Sequence, residues 1–151
     1  APKPPRLSTT IMQLRSTLRL IQRDTSGAPA VEFAISSLVF LTILLGVAEI
    51  ARYVADRQDL TSAVRAASRY AAVHGSDSDA PATAASLQAM VGSKLVLINA
   101  GAVTATARFS PNNKPGSQVT ITASYTWKPL VPLLHLPNTT ITATSASRIV
   151  N

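Results

Sequence analysis

The feature that most constrains this chain is an apolar run from Ala30 to Ile50, with no charged residue between Phe33 and Ala48. As a helix rising 1.5 Å per residue, about 20 residues cover about 30 Å, the hydrocarbon thickness of a bilayer. A cleaved secretory signal has a shorter core and a small-residue cleavage site after it. Here "AEIARYVADRQ" follows instead and continues the helical pattern, and Gly46 is the only interior helix breaker. The run therefore predicts one membrane-spanning helix. Lys3, Arg6, Arg15, Arg19 and Arg23 precede it, opposed only by Asp24. This excess of positive charge predicts a cytoplasmic N-terminus, with everything after Arg52 on the outer side.

Those same cations account for much of the basic balance. The 151-residue chain carries a formal net charge of +7, but only 5% of its residues are aromatic, and beyond the N-terminal cluster its positives are scattered. A nucleic-acid partner is therefore not expected. Charged residues make up 14% of the chain, against about a quarter in soluble domains. There is no cysteine, which excludes disulfides and thiolate chemistry.

The sequence divides into a basic leader (1–27), a transmembrane helix (28–51) and an external domain (52–151). Proline-rich "APKPPRLSTT" opens the leader. In the rest of it, Ile11, Leu14, Leu18 and Ile21 recur at helical spacing beside Arg15, Arg19 and Arg23, as in a basic segment lying on an anionic membrane. Beyond the span, Val54, Leu60, Val64, Ala67 and Ala71 predict an apolar stripe on a continuing helix, with Gly75 as its stop. Arg52 and Asp56 are spaced to pair along its surface. A loop, "SDSDAPAT", leads to a second short helix expected from about Ala82 to Leu97. The period then changes to two in "AVTATARFS", "QVTITASYTW" and "TTITATSASRIV", predicting an antiparallel sheet with one wet face. "KPLVPLLHLPN" holds three prolines and reads as an apolar loop. The expected fold class is α+β: a long N-terminal helix, a second short helix and a small antiparallel sheet of three to four strands.

Catalytic chemistry has no visible foothold. His74 and His135 are the only histidines and lack acidic neighbours at ligand spacing, so no metal site is expected. No nucleophile elbow and no phosphate-binding glycine loop occur. The chain is expected to be a non-enzyme without cofactors. Its informative side chain is Glu32, an acid at the head of the apolar run. It could sit in interfacial water, or be favoured by the positive end of the helix dipole. Alternatively, cleavage between the small residues Gly27 and Ala28 would create an amine that a neighbour's Glu32 could neutralise among apolar helices. Glu49 and Arg52 close the run as a candidate ion pair at the membrane boundary, with contact to an assembly partner as the other reading.

The stretch "GAPAVEFAISSLVFLTILLGVAEIARY" resembles the start of TadE-like proteins, minor pseudopilins of tight-adherence (type IVc) pili. Gly27, Glu32, Phe33, Gly46, Glu49 and Arg52 carry the match, and "YTWKPLVPLL" and "TATSASR" extend it toward Arg148. The resemblance implies processing at Gly27–Ala28 by a prepilin peptidase, with Glu32 and Phe33 as assembly and register residues. It also implies insertion in the bacterial inner membrane with the C-terminal domain periplasmic. Implied partners are other pilin and pseudopilin subunits, the inner-membrane assembly platform and membrane lipid. The alternative is an uncleaved, permanently anchored periplasmic binding module acting through its sheet or the loop Lys128 to Pro137.

Overall fold

A computed structural model describes residues 27–150. The expectations for the basic leader, including its amphipathic segment, fall almost wholly outside the described residues. Helix α1 runs unbroken over Ala28–Val73 and α2 over Ala84–Lys94. Strands β1 (Val103–Ser110), β2 (Gln118–Trp127) and β3 (Thr139–Arg148) follow. They form one antiparallel sheet in the order β1-β2-β3. The architecture is the expected α+β, with three strands.

The chain divides after Leu44 into two units, Ala1–Leu44 and Leu45–Asn151. In the second unit, Leu60, Ala63, Val64, Ala67 and Ala71 of α1 lie in one core cluster with Val119, Ile121, Ala123, Ile141, Ala143 and Ile149. Small alanines on the helix let its backbone come close to the sheet. Where a polar pair meets the core, Ser68 and Ser147 bond hydroxyl to hydroxyl. Val54 does not join this stripe: it is 43% exposed, while Tyr53 packs against the core. At 100° per residue, Tyr53 lies about 20° from Leu60 around the helix and Val54 about 120° away, so the core face takes Tyr53.

The strand alternation holds. Val103, Ala105, Ala107 and Phe109 of β1 turn inward, as do Val119, Ile121, Ala123 and Trp127 of β2, while the threonines between them are more exposed. Register pairs Ala105 with Ala123 and Ala123 with Ala143, keeping small apolar residues on one face. The β1–β2 connection turns at Gly116, whose φ of +90° suits a residue without a Cβ. Gly75 lies beyond the last helical residue without taking a positive φ.

Helix α2 is shorter than expected because its start is fixed by a capping box. Thr83 Oγ1 accepts from the Ser86 N–H at 3.1 Å, and Ser86 Oγ accepts from the Thr83 N–H at 3.0 Å. Leu87 and Val91 are its fully buried residues.

Candidate functional site

The first unit presents the apolar run. Gly27 is a turn residue and Ala28 the first residue of α1, and the Val31 N–H already donates to the Gly27 carbonyl at 3.2 Å. Pro29 stands in the first turn, where its missing N–H has no helical partner to lose. Glu32 is exposed and has no hydrogen-bond or ion-pair partner among the described residues. Phe33 is 75% exposed, and Val31, Ile35, Leu38, Val39, Phe40, Leu41, Ile43 and Leu44 are exposed with it. Thr42 returns its hydroxyl to the Leu38 carbonyl at 2.8 Å, which satisfies the polar group within the apolar run. By length and composition α1 can cross a membrane: its apolar window has a mean hydropathy of 2.2, and 6% of that window is buried. It is a candidate membrane span, as expected.

In the second unit, three acids of α1 lie on its buried side: Glu49, Asp56 and Asp59 are 3%, 6% and 9% exposed. Acids on a core face require partners. Those of Glu49 come from the proline-rich loop. Its Oε1 accepts the Leu130 N–H at 2.6 Å and the Val131 N–H at 2.8 Å. Its Oε2 receives Arg52 Nη2 at 3.1 Å, and Arg52 donates in turn to the Lys128 carbonyl. Between Pro129 and Pro132, neither of which has an N–H, Leu130 and Val131 offer the only backbone donors, and Glu49 takes both. The Glu49–Arg52 pair is present and also clamps the loop, a task local spacing could not reveal.

Arg52 reaches further. Its Nη1 lies 3.8 Å from Asp56 Oδ2, and its guanidinium sits 4.7 Å over the Trp127 ring. Trp127 in turn meets Tyr53 edge-on at 5.5 Å. Burial pushes the Asp56 carboxyl above the ordinary aspartate range. The Arg52 charge opposes that shift and the Asp59 charge adds to it. Asp59 itself is satisfied by backbone alone: its carboxylate accepts from the N–H groups of Val96, Leu97 and Ile98 at 2.8 to 3.2 Å. Sequence reasoning passed over Asp59 because its three donors lie 37 to 39 residues away.

The histidines are used locally. His74 stacks on Tyr70 at 3.8 Å and His135 Nδ1 lies 3.0 Å from the Leu133 carbonyl. Among the described residues, no three His, Cys, Asp or Glu side chains converge to hold a metal ion.

The family described as TadE-like protein matches residues 27–69. The resemblance read from the sequence therefore holds over that segment, which is the apolar N-terminal helix of a pilus-associated family together with its extension into the second unit. No curated protein and no solved structure matches the chain.

Proposed function

With residues 27–69 matched to the TadE-like family, we propose that this chain is a pseudopilin-like subunit needed to build a tight-adherence pilus. It inserts through residues 28–51, with its N-terminus in the cytoplasm and the α+β unit in the periplasm. The observation that carries this reading is the run of large apolar side chains left exposed from Val31 to Ile50, while the α+β unit builds its core from other residues. Such a surface needs lipid, or equivalent helices of other subunits, to cover it. The role is structural rather than catalytic, and no cofactor or nucleic acid takes part.

In this reading a prepilin peptidase cuts between Gly27 and Ala28, and the new Ala28 amine pairs with Glu32 of an adjacent pilin or pseudopilin helix. Phe33, beside it, packs across the same interface and fixes register. The exposure of both residues supports this role. N-terminal sequencing of the cellular protein tests the cut, with Ala28 as the expected first residue. Glu32→Ala tests the pairing: pili should be lost while the protein still reaches the membrane. Normal piliation in that variant overturns the assembly role.

One observation favours the uncleaved, anchored scaffold as a second reading. The Val31-to-Gly27 hydrogen bond puts the scissile peptide inside the first helical turn, so a protease needing extended backbone must first unwind it. Recovery of only uncut protein from cells that contain the peptidase, with Glu32→Gln fully active, would establish that alternative.

A further inference from the structure

The Glu49-clamped loop exposes Leu130, Leu133 and Leu136, at 72%, 60% and 42%. Beside it on α1, Val47 and Ile50 are 59% and 64% exposed. Ile50, Tyr53, Trp127, Leu136, Pro137 and Thr139 line a cleft of about 200 Å³ with Glu49. Its surface is almost wholly apolar except at one point: Trp127 is 4% exposed, and its indole N–H has no acceptor. A buried indole N–H normally finds a partner.

We infer that this cleft takes the upper acyl segment of a membrane phospholipid, whose ester carbonyl accepts the Trp127 N–H. The occupant must be mostly apolar to fit the lining, and must bring one acceptor oxygen but no donor. It must also reach a site ringed by exposed leucines at the end of the apolar run. A phospholipid ester meets all these conditions. Exposed Lys128, next to Trp127, stands ready for the phosphate of an anionic headgroup. Glu49 acts here as a positioning residue: by holding the Leu130 and Val131 amides it keeps the loop beside α1.

This inference rests on the membrane reading proposed above, and its test separates the two. Trp127 is the only tryptophan, so its emission reports the cleft alone. The full chain is reconstituted in vesicles of phosphatidylethanolamine and phosphatidylglycerol, brominated either near the ester end or near the methyl end of the acyl chain. Ester-end bromines should remove most of the Trp127 emission, and methyl-end bromines much less. Two independent filling variants, Thr139→Phe and Leu136→Phe, should restore it. If both fold, as seen by circular dichroism, yet are quenched like the parent chain, the indole merely lies at the lipid surface and the cleft is not a lipid site. Phe40→Trp in a Trp127→Phe background reports the span. Quenching there without quenching of Trp127 overturns the lipid cleft and leaves the membrane reading standing. No quenching at either position overturns both. Emission reached by aqueous iodide, or protected as protein concentration rises, assigns the cleft to water or to a second copy of the chain, and either result refutes the inference.

Discussion

Replacing Asp59 by alanine removes one carboxylate and strands three backbone N–H groups at once. Ile98 is 6% exposed, so its N–H loses a charge-assisted bond with no water to replace it, at a cost of about 2 kcal/mol. Val96 and Leu97 carry side chains 85% and 62% exposed, so their N–H groups rehydrate, and each loss is taken as about 0.5 kcal/mol. The sum is about 3 kcal/mol for the α+β unit. For a domain near 100 residues this lowers the unfolding midpoint by about 12 to 20 °C. Asp59→Asn keeps one acceptor oxygen and relieves repulsion from Asp56, and should cost about half as much. Thermal unfolding of the full chain in detergent, followed through buried Trp127, measures both. An alanine variant within about 0.5 kcal/mol of the parent, or an asparagine variant as damaged as alanine, would refute the claim that the carboxylate organises residues 96–98.

Three further outcomes follow from named contacts. Glu49→Ala should raise hydrogen exchange at the Leu130 and Val131 amides about ten- to a hundredfold, with Glu49→Gln intermediate; unchanged exchange would mean that the loop holds itself. Asp56 has a folded pKa above its unfolded value, so it costs nothing below the unfolded value and destabilises the fold as pH rises through the folded one. Asp56→Asn should therefore raise the unfolding midpoint at about pH 7 and gain little at about pH 3, where both forms are neutral. An added Cβ at Gly46 meets no atom within 4 Å, so Gly46→Ala should stiffen α1 by about 0.5 to 1 kcal/mol. If pilus assembly falls while that stability rises, as read by helix unfolding, another helix approaches closely at Gly46.

The sequence by itself determined what repeats along it. The unbroken apolar run made one long helix, and alternation of period two placed Ala105, Ile121 and Ala143 on the inner face of the sheet. Both signals are local, because a residue three, four or two positions away is a neighbour in the folded element itself. The segment that resembles the TadE-like family lies in this legible part. Tertiary structure alone decided the fate of the three acids of α1. On a helical wheel they look like solvent-facing residues, or at most partners of Arg52. Their burial depends on donors supplied from far along the chain, at Leu130 and Val131 for Glu49 and at Val96 to Ile98 for Asp59. A carboxylate can enter a core only where backbone N–H groups or opposite charges replace its water. No pattern within α1 announces which distant loop will bring them.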